Sequence, residues 1–144
     1  MKKFIPYLFL LLTIVSFSFC KIQECTPTDY PKQQIIFGSG GGITGSVTEY
    51  VLLENGAIFS KQGIQGEFKT LLKADKAITS QLFNNIDFLE LKDVQVNQHG
   101  NRYHYVTLKN NSEEHQIMWG NSEAIPNKVK TFYDILCHLA NTEH

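Results

Sequence analysis

From Phe4 to Cys20 the chain runs for 17 residues without a charge, and beyond that its hydrophobic positions recur in short periodic blocks. Gln34-Ile35-Ile36-Phe37 reads as a strand ending in Gly38-Ser39-Gly40-Gly41-Gly42. Residues 43–54 are rich in β-branched and aromatic side chains: Val47, Val51 and Leu53 alternate with Thr48, Tyr50 and Leu52, and Glu49 interrupts the first set. Asn55-Gly56 predicts a type I′ hairpin turn, because both residues tolerate positive φ, and residues 57–60 form the return strand. Gly63 and Gly66 mark another turn, and Phe68 to Lys73 reads as a further strand or an extended lead-in. Asp75 can cap a helix over about 76–86, with Ala74, Ile78, Leu82 and Ile86 on one face. Residues 87–91 then read as a short extended piece, and 93–101 as a polar loop. Arg102 to Lys109 predicts a strand, Asn110-Asn111-Ser112 a turn, and Glu114 to Trp119 the partner strand. Pro126 suits the first turn of a last helix, whose apolar stripe is Val129, Phe132, Tyr133, Leu136 and Leu139.

The order is β-β-β-α-β-β-α. It implies an α+β domain: an antiparallel sheet of two hairpins plus an N-terminal strand, with two amphipathic helices packed on one face. The domain covers residues 33–141.

The uncharged block changes the picture of where this domain works. Lys2 and Lys3 precede it, and small residues Ser16 and Ser18 follow near Cys20, the order of a secretory signal over residues 1–20. Seventeen residues including Pro6 are short for a membrane span, and a retained anchor is the alternative. Cys20 closes the apolar region as the lipidated cysteine of a bacterial lipoprotein does, although Phe19 stands where a small residue is usual; cleavage after Ser18 or Cys20 is the other route. Residues 21–32, with Pro27 and Pro31, read as a tether. The expected location is exported, as a periplasmic or outer-membrane-attached lipoprotein held to the membrane through its N-terminal lipid. The 144 residues are 42% hydrophobic and 19% charged, which excludes wholesale disorder. Loss of residues 1–20 takes two lysines and no acid, so the net charge moves from −1 to −3. No basic stripe is present for a nucleic acid. Of three cysteines, Cys25 and Cys137 remain as an expected disulfide, with two buried free thiols as the alternative.

Candidate chemistry is sparse. Gly40-x-Gly42-x-x-Gly45 matches a dinucleotide fingerprint formally, but it opens into the strand-like Ser46-Val47-Thr48 rather than a helix, and no P-loop Lys-Ser/Thr follows. Its glycines serve either a permissive strand connection or an exposed loop that lets another protein's backbone approach. His99, His104, His115, His138 and His144 show no metal-ligand spacing, so no metal or other cofactor is expected. There is no GxSxG elbow and no cysteine with a catalytic signature, so the chain is not expected to be an enzyme. Tyr103 and Tyr105 share a strand face by period two, and Trp119 ends a strand before a loop. They form either core packing or a binding ridge, and with Gly40, Gly41 and Gly42 they are the candidate partner-binding residues.

Taken in order, Gly41-Gly42-Ile43-Thr44-Gly45 before a strand, a hairpin, a helix, Phe88-Leu89-Glu90-Leu91, Tyr103-His104-Tyr105-Val106-Thr107-Leu108, another strand and a closing helix after Pro126 resemble the emfourin-type inhibitors of thermolysin-like metalloproteases. The likeness runs from about residue 34 to 140. The chain is also similar to small lipoproteins of the Bacteroidetes type with a Gly-rich strand start and a Trp-Gly strand end. The Gly38–Gly42 run and an insert at 61–73 depart from the inhibitor pattern, so no inhibitory residue is carried across. The resemblance implies a non-catalytic envelope protein that binds a protein partner such as a secreted metalloprotease. A small-ligand carrier or envelope enzyme using the cleft between sheet and helices, or a structural lipoprotein, is the alternative.

Overall fold

A computed structural model describes residues 25–120 and 125–142. Residues 1–20, with the signal and Cys20, lie outside the described residues, as do 21–24 of the tether. The fold is α+β. Six strands, β1 (Gln34–Gly41), β2 (Ser46–Leu53), β3 (Ala57–Gln62), β4 (Lys69–Lys73), β5 (Arg102–Asn110) and β6 (Glu113–Trp119), accompany two helices, α1 (Lys76–Phe88) and α2 (Asn127–Asn141). The sheet order is β4-β3-β2-β1-β5-β6 and every pairing is antiparallel. β1 to β4 therefore form one meander, and the β5–β6 hairpin is added beside β1 after the crossover through α1.

Period-two alternation splits the sheet into two faces. On the first face Ile35, Phe37, Leu52, Ile58, Val106 and Ile117 join Leu82, Phe83 and Ile86 of α1 and Val129, Phe132 and Leu136 of α2 in one core cluster. On the second face Val51, Leu53 and Phe59 form a separate cluster with Tyr30, Ile36 and Phe68 packed against it. Glu49, which interrupts the apolar series of its strand, lies on this second face and pairs with Lys61 at 3.2 Å.

Several local expectations shift. β1 does not stop at Phe37 but runs through Gly38, Gly40 and Gly41. The Asn55-Gly56 turn is a three-residue connection rather than type I′. Only Gly56 takes positive φ (91°), its N–H donates to the Leu53 carbonyl at 2.8 Å, and the Asn55 side chain accepts from the Ala57 N–H. The Asp75 carboxylate caps α1 by accepting from the Ala77 and Ile78 N–H groups. Of the expected row Ala74, Leu82 and Ile86 are buried but Ile78 is 46% exposed, and Thr79 and Phe83 complete the buried face of α1. Thr79 is favoured there because α1 meets the backbone of the β2–β3 turn, where a Cβ on Gly56 would lie 3.2 Å from the Thr79 hydroxyl. That hydroxyl is satisfied within the helix, donating to the Asp75 carbonyl at 2.8 Å. Residues 87–91 are not extended: α1 continues to Phe88, and after Glu90 in the left-handed region a 3-10 turn (Leu91–Asp93) buries Leu91. Pro126 caps α2 from outside rather than sitting in its first turn.

The expected tether is packed against the fold at Pro27 and Tyr30. Gln34, 2% exposed, donates its side-chain amide to the Pro27 carbonyl at 3.0 Å and the Tyr30 carbonyl at 3.2 Å. The Tyr30 hydroxyl accepts from the Asn55 N–H at 3.1 Å. This placement corrects the expected disulfide. Cys25 is exposed and free in an arm that joins the second-face cluster through Tyr30, while Cys137 is free and packs into the first-face cluster. The sheet stands between the two thiols.

Candidate functional site

The candidate residues gather at the end of the sheet where β1 turns into β2, but on two different faces. On the second face, Tyr103 and Tyr105 of β5 lie opposite Gly40 and Gly38 of β1. A Cβ on Gly40 would fall 2.6 Å from the Tyr103 hydroxyl oxygen, and one on Gly38 would fall 3.0 Å from that of Tyr105 and 2.2 Å from the Thr48 carbonyl oxygen. The glycines thus leave room for two phenol side chains laid across a central strand, with ring centroids 6.2 Å apart. Glycine in a strand interior often marks such a close approach. The Tyr105 hydroxyl donates to Glu49 at 2.8 Å, and Glu49 in turn holds Lys61, whose ammonium sits 5.1 Å from the centre of the Phe68 ring. Burial, reinforced by the Glu49 carboxylate, drives the Tyr105 phenol far above its ordinary titration range.

Trp119 does not belong to this ridge. It pairs with His104, so it faces the helices, and it is 3% exposed. Its ring packs edge-on against Tyr133 of α2 at 5.2 Å and beside His104 at 5.7 Å. The Tyr133 hydroxyl donates to the Gly38 carbonyl at 3.2 Å and lies 3.1 Å from His104 Nδ1. Cys137 approaches the same hydroxyl, and its own burial pushes the thiol pKa up. A thiol raised in this way stays protonated, which is the opposite of what a nucleophilic cysteine needs. Sequence reasoning missed this group, and the signal that could have found it is the pairing of Trp119 with His104 across the hairpin.

Between the two faces, the chain turns. Gly41 (φ 95°) is pressed against the Asn101 backbone, where a Cβ would lie 2.1 Å from its carbonyl oxygen. Gly42 (φ 82°) donates its N–H to that same carbonyl at 2.6 Å. The turn closes when the Gly45 N–H donates to the Gly42 carbonyl at 3.1 Å, and it holds Ile43 out in solvent. A depression of about 510 Å³ surrounds the turn, lined by Ser39, Thr44, Ser46, Arg102, Tyr103 and His104 among others. Its side chains are hydroxyls, one guanidinium, two rings and the aliphatic chain of Ile43.

A second depression, about 260 Å³, lies at the opposite end of the sheet under α1, with Gln34, Phe83, Ile86, Lys92, Leu108 and His115 in its wall. It is not the aromatic cleft expected between sheet and helices, because Tyr103, Tyr105 and Trp119 do not line it. The middle of that interface is filled by Phe132, Leu136 and Val129. Among the described residues, no group of three or more His, Cys, Asp or Glu side chains is placed to hold a metal ion, and no helix is long and apolar enough to cross a membrane. Comparison of the sequence with protein families and with curated proteins finds no match.

Proposed function

We propose that the chain is a non-catalytic binding protein of the cell envelope, exported and lipid-anchored at Cys20, that meets a protein partner through the β1–β2 turn and the adjoining Tyr103. Peptidase inhibition is the narrower form of this reading. The observation that carries it is the opposition of the two sheet ends. At one end the arm from Cys25 is fastened by Gln34 and Asn55, so the chain enters the fold there. At the other end the turn from Gly42 to Gly45 raises an uncovered isoleucine, and no charge occurs between Gly38 and Thr48. An exposed isoleucine and a tyrosine beside a single arginine, Arg102, match the aromatic and arginine enrichment of protein contacts. Of the candidate residues, Gly42 and Tyr103 stay on this surface. Gly40, Gly41 and Tyr105 build it from beneath, and Trp119 belongs to the core.

Two measurements test the reading. Mass spectrometry of the membrane-extracted chain is expected to show an acylated Cys20 at the N-terminus; an N-terminus at Phe19 or Lys21 would remove the anchor. The processed chain is then titrated against thermolysin-type metalloproteases. The expected result is inhibition, with loss of potency on Gly42→Val. Neither inhibition nor a complex at micromolar concentration sinks the inhibitor form.

A further inference from the structure

The depression under α1 is an opening in the first-face core. Phe83 and Ile86 of α1 and Leu108 of β5 belong to the core cluster, keep 8%, 5% and 6% of their surface exposed, and line the depression together. Its rim is tied at two points. The Lys92 ammonium pairs with the Asp87 carboxylate at 3.0 Å, joining the 3-10 turn to the end of α1. The His115 Nε2 lies 3.0 Å from the Val94 carbonyl, joining β6 to the segment that follows that turn. A volume of about 260 Å³ equals the liquid share of roughly eight or nine water molecules, so it takes a body of about nine heavy atoms.

The charges at its mouth do not balance. Lys92 is taken by Asp87, and Lys109 stands opposite Glu114 across the hairpin. Glu113 shares the strand face of His115 and Ile117, the face turned to the helices, and among the described residues it makes no ion pair. The α1 helix ends at the same mouth with no basic residue in its last turn, so its carbonyl end adds to the negative side. We infer that this depression binds a small primary amine with an apolar body, seated on Phe83, Ile86 and Leu108 with its ammonium between Glu113 and the end of α1. A carboxylate of the same shape meets like charge at Glu113, and a neutral alcohol gains only the apolar floor. A free amine and the amino terminus of a peptide that begins with an apolar residue share this chemistry. The site lies at the end of the sheet opposite the β1–β2 turn, so it stands or falls independently of the protein contact placed there.

The test uses the full chain, purified from the cells that produce it and labelled for amide NMR. It is titrated with phenethylamine, hydrocinnamate, phenylethanol and the peptide amide Phe-Ala-Ala. Phenethylamine is expected to saturate at about millimolar concentration, moving the amide signals of Ile86, Leu108, Glu113 and His115 and leaving those of Ile43 and Tyr103 in place. Hydrocinnamate is expected to bind about threefold more weakly or worse. Glu113→Gln is expected to weaken phenethylamine about threefold and to leave phenylethanol unchanged, and Glu113→Lys to invert the order of amine and acid. Glu113 is exposed, so both variants should keep the unfolding midpoint. The inference is overturned if phenethylamine does not saturate, if the shifts lie elsewhere, if amine and acid bind alike, or if Glu113→Gln changes nothing. Binding of phenethylamine without the peptide supports a free amine as the ligand, and binding of both supports peptide amino termini as well.

Discussion

The two faces of the sheet are stabilised by different means. The first face fills a continuous volume with aliphatic and aromatic groups from six strand positions and both helices. The second face has a small cluster of Val51, Leu53 and Phe59, and the rest of its order comes from placed polar contacts: Gln34 holding the arm, and Tyr105, Glu49 and Lys61 in series above two glycines. A volume-filling core is sensitive to how much is removed, whereas a face built on vacancies and hydrogen bonds is sensitive to what is added or ionised. Substitutions of opposite kinds should therefore damage the two faces.

Truncation on the first face gives the largest expected effect. Phe132 is 1% exposed and Phe132→Ala leaves a cavity, so a loss of about 3–5 kcal/mol is expected in urea unfolding. On the second face the equivalent blow is an addition. Gly38→Ala brings a methyl group to 2.2 Å of the Thr48 carbonyl oxygen, a backbone atom that cannot swing aside, and a loss of about 1–3 kcal/mol is expected by the same measurement. If Gly38→Ala proves neutral, the vacancy reading of the glycine run is wrong and the contrast between the faces fails with it.

The glycine run shows what was legible and what was not. The Asp75 cap, both helices and the β5–β6 hairpin are written locally, in spacing and in capping chemistry, and the structure has them. The continuation of β1 through Gly38 and Gly40 is not local. It depends on Tyr103 and Tyr105 some sixty positions away, which supply the side-chain bulk that glycine lacks. The placing of Trp119 turns on a single residue. Asn110 pairs with Glu113, so the turn between β5 and β6 has two residues, Asn111 and Ser112, with Asn111 at positive φ. A three-residue turn at 110–112 would have set Trp119 beside Tyr103 instead of His104, because a one-residue slip exchanges the faces of a strand. The α1 face departs from its expected row at Ile78 alone, for a related reason. A threonine outranks an isoleucine as the inward residue where the helix touches the backbone of the β2–β3 turn, a contact that hydrophobic periodicity does not encode.

Ionisation distinguishes the faces at a smaller magnitude. Tyr105 ordinarily titrates near 10.0, and its folded value is raised, so the fold retains a proton that the unfolded chain releases. Its contribution is complete below that ordinary value and declines as pH rises above it, by up to about 1.4 kcal/mol per pH unit. Tyr105→Phe is expected to cost about 1 kcal/mol at neutral pH through the lost bond to Glu49, and to show a shallower alkaline decline. Tyr133 is raised as well and stays in the variant, so the decline should be reduced rather than abolished. Unfolding midpoints measured at about pH 9 and about pH 11 decide it: equal slopes in the two proteins would mean that Tyr105 ionises as freely in the fold as outside it.

The smallest expected change is at the turn tips, and it carries the most information about use. Ile43 and Ile64 touch neither core cluster, so Ile43→Ser and Ile64→Ser should each alter stability by less than about 0.5 kcal/mol, within the range of ordinary surface substitutions. The double variant should behave as the sum of the two, because isoleucines that are both held in solvent have no free chain partner in common. A loss well beyond that value would place the side chains in a packing role, making the turn end a third stabilised region. A negligible loss frees both isoleucines for substitution in binding experiments without confounding by unfolding.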